Sequence, residues 1–146
     1  MDRIRIVEHT THPAPVVATT RELRPDYGSD ELMLGALQKL VAEQGLRIFG
    51  AHLGDEPVAA AVLTARVLEN LVSGRFLYID DLGTSAAFRG RGLAGALFDH
   101  AEELAAELGC VGGIQLNSGL GENRADAHGF YFGRGLRIAS FTFRRR

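Results

Sequence analysis

An α/β fold is predicted, with a mixed, mostly antiparallel sheet of about six or seven strands flanked by helices. Two strand-like runs, 46–51 and 58–67, are joined by Gly54-Asp55-Glu56-Pro57, a turn-forming cluster that predicts an antiparallel hairpin. Leu93, Leu97, Ala101, Leu104 and Leu108 recur at steps of four, four, three and four, which places them on one face of a helix. After Gly109 the pattern becomes strand, helix and strand.

In chain order, Ile4 and Ile6 alternate with polar residues as a half-buried first strand should, and His12-Pro13-Ala14-Pro15 breaks the pattern. A helix is expected over 16–24, stopped by Pro25. Ser29 can cap a second helix that runs to Glu43 and ends at Gly45, because its side-chain oxygen can accept an orphan amide hydrogen bond. The hairpin follows. A third run, 75–84, holds Phe76, Tyr78 and Ile79 and should lie beside it. The leucine-striped helix comes next, then a strand over 111–116, a loop rich in Gly and Asn, a helix over 125–132 and a last strand over 137–143.

The 146 residues are 46% hydrophobic and 23% charged, as suits one globular domain spanning 1–146 with a single core. No apolar run approaches the ~20 residues that cross a bilayer, and Met1-Asp2-Arg3-Ile4-Arg5 lacks an apolar signal core, so a soluble cytoplasmic protein is expected. Cys110 is the only cysteine, and the five histidines show no metal-ligand spacing, so neither a disulfide nor a metal is expected. A net charge of −2 gives no general attraction for nucleic acid. No G-x-S-x-G elbow or G-K-S/T phosphate loop is present.

Gly90-Arg91-Gly92-Leu93-Ala94-Gly95 satisfies G-x-G-x-x-G, but the context is wrong for a dinucleotide site. Five residues separate Thr84 from Gly90, and the stretch 109–118, where a ribose-binding acid should lie, contains none. The phosphate-binding physics survives. The first amides of a helix lack internal acceptors, the peptide dipoles add partial positive charge, and Gly90 and Gly92 let phosphate oxygens approach the backbone. Arg89 and Arg91 add charged donors.

Arg89-Gly90-Arg91-Gly92-Leu93-Ala94 resembles the Q/R-x-x-G-x-G/A pyrophosphate loop of the GNAT acetyltransferases. Asp81-Leu82-Gly83-Thr84 resembles the strand end that precedes it, and Ala127, Tyr131 and Gly135 fall in register with the family's later helix. Arg124 stands where that helix has Asn, with Asn123 adjacent, and Leu136 replaces the usual Phe. The run Asp126-Ala127-His128-Gly129-Phe130-Tyr131 is similar to a D-A-H-x-F-Y variant found in a branch that includes aminoalkylphosphonate acetyltransferases.

The resemblance implies a GNAT fold and acetyl-CoA as co-substrate. It further implies that Leu82, Gly83 and Thr84 contact the pantetheine arm, with Asn117 and Tyr131 also near the cofactor. An alkylamine has a pKa near 10.4, so a base must free its nucleophilic form; Asp81, or Asp80 directly or through water, ends the central strand. Alternation predicts these two side chains on opposite faces. Tyr131, a phenol still protonated at neutral pH, is the candidate acid for the departing thiolate. By family architecture Arg21, Arg24 and Tyr27 line the acceptor wall, where the arginines could meet an anionic group on a small-molecule amine, and His128 could contact substrate. A non-catalytic acyl-CoA sensor and a protein or peptide acetyltransferase stay open as alternatives. An exposed edge on the last strand would allow a homodimer.

Overall fold

The computed structural model describes residues 3–146. Two compact units divide it, one ending at Gln115 and one spanning Leu116–Arg146.

In the first unit, strand β1 (Ile4–Glu8) is followed by a 3-10 turn, α1 (Val17–Leu23) and α2 (Asp30–Gln44). Ser29 caps α2 as expected, its hydroxyl oxygen accepting the Leu32 amide at 3.1 Å, and Gly45 closes the helix in the left-handed region at φ 67°. The hairpin is β2 (Arg47–Leu53) and β3 (Ala61–Asn70), and β4 (Gly74–Thr84) completes four antiparallel strands. Helix α3 (Leu93–Glu107) then crosses to β5 (Ile114–Leu116), the last strand in the order β1-β2-β3-β4-β5. Gly112 N–H donates to Arg75 O and Leu77 N–H to Gly113 O, so the partners advance together and β5 runs parallel to the start of β4.

Each face of the sheet is covered. Val16, Val17, Met33 and Leu37 pack with Ile48, Ala59 and Val62 on one face. On the other, the apolar stripe of α3 (Leu93, Leu97, Ala101 and Leu104, with Phe98) is buried, and His100 sits 4.9 Å from the Phe49 ring. Cys110 is free and buried at the end of this layer. Among the described residues no helix is long and apolar enough to cross a membrane, and no group of three metal-ligating side chains occurs.

The second unit holds the end of β5, a 3-10 turn and α4 (Ala125–Gly133). The expected last strand is absent: 137–143 has neither helical nor strand structure, and every residue from 137 to 146 is exposed. The described sheet therefore has five strands rather than six or seven. Alternating apolar residues favour an extended chain, but a strand exists only when a neighbouring strand takes its hydrogen bonds.

A histidine pair on the β1–β2 side was not legible in the sequence. His52, 2% exposed, places Nδ1 2.9 Å from the Glu56 carbonyl, which can only accept, so Nδ1 carries the proton. Its Nε2 then accepts from His9 Nε2 at 2.8 Å. Burial, and then the neighbouring His52 and Arg5, holds the His9 pKa below its ordinary value. The unfolded chain therefore takes up this proton first, so the stabilisation present above about pH 6.5 is lost as pH falls. Thermal unfolding followed by circular dichroism should show a smaller drop in midpoint for His9→Asn than for the native chain between about pH 7 and pH 5.

Candidate active site

The site in the first unit begins with an irregularity in β4. Thr64 pairs with Asp81, but the next residue of β3, Ala65, pairs with Ile79, so Asp80 is an extra residue: a one-residue β-bulge. The hydrogen bonds carry its signature. Leu77 and Ser85 are an even number of residues apart, so an unbroken strand would aim both N–H groups the same way. Instead Leu77 N–H donates toward β5, to Gly113 O, and Ser85 N–H toward β3, to Ala60 O. Beyond the bulge, the alternation turns the N–H groups of Leu82 and Thr84 away from β3. That side carries no strand there, because β5 runs only alongside the start of β4.

The bulge also overturns the expectation that Asp80 and Asp81 face opposite ways. Thr64 and Arg66 are two apart on β3 and share a face. Asp81 Oδ2 accepts from Thr64 Oγ1 at 2.9 Å, while Asp80 accepts from Arg66 through two bonds of 2.9 and 2.8 Å. Both carboxylates therefore sit on the face covered by α1 and α2. Arg66 also contacts the Tyr78 ring at 5.5 Å, and Asp80 holds its guanidinium above the ordinary arginine pKa.

Arg24, at the C-terminal end of α1, reaches this face. Its Nε and Nη2 lie 2.9 and 2.6 Å from Asp81 Oδ1, so both Asp81 oxygens are engaged. The predicted wall residue Arg24 and the predicted base Asp81 are thus brought together. Arg21 does something else: it binds Asp30 at 2.7 Å and the Tyr27 carbonyl at 3.2 Å, tying down the loop between α1 and α2. Tyr27 lies on that loop, 40% exposed. The Leu23 side chain of α1 packs directly on Gly83, where a Cβ would stand 2.4 Å from it.

After β4 the chain makes a 3-10 turn, Ala86–Phe88, whose first amide donates to Glu22 of α1 at 3.1 Å. Arg89, Gly90, Arg91 and Gly92 follow, all exposed, and Arg91 stacks 5.5 Å from the Phe88 ring. Gly90 and Gly92 have φ of 78° and 80°, in the left-handed region, and open space where a side chain would begin. Gly92 is the N-cap of α3, with no side chain capping the first amides, while Leu93 anchors the helix start in the core at 1% exposure. Ala94 is half-buried in that first turn. These residues fit a diphosphate: unpaired donors, no Cβ in the way and flanking guanidinium groups. A cavity of ≈ 230 Å³ beside this loop is lined by Glu22, Glu56, Ala59, Ser85 and Phe88 and does not include the two aspartates.

In the second unit, Tyr131 is half-buried on α4, 5.6 Å from the Phe130 ring. Burial raises its pKa above the usual phenol value, outweighing the lowering by Arg124, so it keeps its proton at neutral pH. His128 Nε2 donates to the Gly119 carbonyl at 2.9 Å, a bond that ties the preceding loop to α4. Asn117 is exposed just after β5. Arg66, Thr64 and Tyr78 were missed by the sequence reading. They had no signal beyond ordinary strand alternation.

The sequence matches the Acetyltransferase (GNAT) family over residues 8–135. It is 32% identical over 116 residues to an uncharacterized N-acetyltransferase, YhdJ, of Bacillus subtilis strain 168, covering 79% of this chain and 78% of that protein. Among solved structures, an aminoglycoside N-acetyltransferase, AAC(6')-Iy, in complex with CoA superposes with a TM-score of 0.80 at 16% identity, covering 100% of this chain and 95% of the other. An aminoglycoside acetyltransferase from an uncultured soil metagenomic sample gives 0.77 at 21% identity, covering 99% and 98%. A diphosphate-ready helix start behind a bulged fourth strand and the match across most of its length agree: this chain belongs to the GNAT acetyltransferase family and is an acetyl-CoA-dependent acyltransferase.

Proposed function

We propose that this enzyme acetylates a primary amine of a small molecule by direct attack in a ternary complex, as one N-acetyltransferase domain working in the cytoplasm. The observation that carries the reading is the bulge at Asp80, which leaves two outward N–H groups and a carboxylate within five residues, just ahead of the glycine-capped helix.

Bound acetyl-CoA supplies an acyl group activated as a thioester. Arg89, Arg91 and the amides opening α3 hold its diphosphate, and the Leu82 and Thr84 N–H groups hold the pantetheine arm and polarise the carbonyl. Asp81 takes a proton from the substrate ammonium, freeing the nitrogen lone pair that forms the C–N bond. As the C–S bond breaks, Tyr131 donates its phenol proton to the departing sulfur. That transfer is uphill toward a thiol of pKa ~8.5, but only by about 2 kcal/mol against an ordinary phenol, a small part of an acyl-transfer barrier.

Asp81 cannot receive an amine while Arg24 holds it, so the acceptor must displace that guanidinium. The pair is part-exposed, with Arg24 55% and Asp81 21% open, and such pairs contribute only about 0–1 kcal/mol. An acceptor with a carboxylate or phosphonate near its amine would re-pair the freed Arg24, whereas a polycation would leave it unpaired. Asp80, locked by Arg66, is not free to act as the base, and the four charges on this face cancel. This favours zwitterionic amines over the aminoglycosides that the structural neighbours are named for.

A thiol-release assay across an amine panel tests the function. Turnover with some small amine is expected; tight CoA binding with no turnover on any amine or peptide would favour a sensor instead. Asp81→Asn should lower kcat/KM about 10²-fold, and Arg24→Ala should erase the preference for anionic over neutral amines. Unchanged selectivity would remove Arg24 from acceptor recognition. Gly92→Ala forces a left-handed conformation that costs about 1–2 kcal/mol in the free protein, so its thermal unfolding midpoint should fall by about 2–8 °C. Tyr131→Phe should lower kcat about 10²-fold with little change in the KM for acetyl-CoA.

A further inference from the structure

Thr64 is wholly buried, at 0% exposure, and stands directly across from Asp81 in the β3–β4 pairing. Its Oγ1 donates to Asp81 Oδ2 at 2.9 Å, and because an ionised carboxylate can only accept, the direction of this bond is fixed. Two heavy atoms on the threonine Cβ restrict its first side-chain torsion, so the strand itself aims the hydroxyl. Register brings the two together. On the pairing that joins Ala65 to Ile79, an unbroken ladder would set Thr64 opposite Asp80, and the bulge puts Asp81 there instead. The two oxygens of Asp81 thereby differ. Oδ2 is held by a buried hydroxyl of the sheet, whereas Oδ1 meets Arg24, whose side chain is 55% exposed.

We propose, resting on the reading of Asp81 as the base, that Thr64 is a positioning residue: its hydroxyl pins Oδ2 so that Oδ1 faces the acceptor and takes the ammonium proton. When the acceptor displaces Arg24, one of the two anchors on the carboxylate is lost, and the terminal torsion of an aspartate is broad enough for an unpinned group to swing. Thr64 is the anchor that stays. It also outlasts the transfer: one proton passes from nitrogen to Oδ1, the nitrogen keeps the lone pair that attacks the thioester carbon, and Oδ2 of the neutral acid still accepts from Thr64. The proton therefore sits on the oxygen that Arg24 had occupied, where water can remove it before the next turnover.

Substitutions at Thr64 separate positioning from packing. Thr64→Val keeps the buried volume and removes the hydroxyl, while Thr64→Ser keeps the hydroxyl and leaves a methyl-sized hole. In thiol-release kinetics with a small amine, Thr64→Val should lower kcat about tenfold without changing the KM for acetyl-CoA, and Thr64→Ser should stay within about threefold of the native chain. Added to Asp81→Asn, Thr64→Val should change kcat by less than about twofold, because a residue that acts through the base then has nothing to position. Equal losses in the two variants, an undiminished kcat in Thr64→Val, or its full loss repeated on top of Asp81→Asn would each overturn the proposal. Should Thr64→Val not fold, Thr64→Ala set against Thr64→Ser, which differ by the hydroxyl alone, decides the same question. Failure of the base assignment looks different: Asp81→Asn by itself would leave kcat unchanged, and this proposal would go with it.

Discussion

A single extra residue in β4 governs the arrangement of this protein's chemistry. Asp80 interrupts the pairing with β3 and reverses the side-to-side order of the strand for every residue that follows. Without it, Asp80 and Asp81 would face opposite layers. The amides of Leu82 and Thr84 would turn toward β3 and be consumed in the sheet. With it, backbone donors and a carboxylate become available on one strand end, immediately before the chain enters the loop that opens α3. Bulged strands survive next to active sites because the pairing they sacrifice is small and the groups they re-aim are otherwise unobtainable.

The two ion pairs around this bulge differ in kind. Arg24–Asp81 and Arg66–Asp80 are partly open to water, and pairs of that kind contribute little to folding. Their difference is geometric. Asp80 meets Arg66 across the β3–β4 ladder through two parallel bonds, a rigid fork between neighbouring strands. Asp81 is held by the end of a short helix, with Arg24 more than half exposed. One pair is a fixture of the sheet, and the other joins the sheet to a solvent-exposed helix end. The close seat of Leu23 over Gly83 keeps α1 near enough for Arg24 to make that contact.

The two units contrast in burial. The first has an apolar layer on each face of its sheet and many residues at 0–3% exposure. The second contains Tyr131 and His128 but has no fully buried residue, and its helix α4 presents Phe132 at 55% exposure. A stretch of this length is too short to enclose a core of its own.

The elements legible from sequence are those set by near neighbours in the chain. The Ser29 cap, the Gly45 stop, the leucine stripe of α3, the hairpin turn and the glycine-opened start of α3 each depend on a few adjacent residues, and all formed within a few positions of expectation. The rest required the folded chain. Arg24 and Asp81 are 57 residues apart, and His9 and His52 are 43 apart; nothing local to either member announces the other. The bulge escaped because a strand's alternation can be read from one chain, whereas a bulge is a mismatch between two. The strand expected at 137–143 failed to form for the same reason: side-chain alternation is a property of the segment, but strand hydrogen bonds belong to a pair, and only tertiary structure decides whether the second member is there.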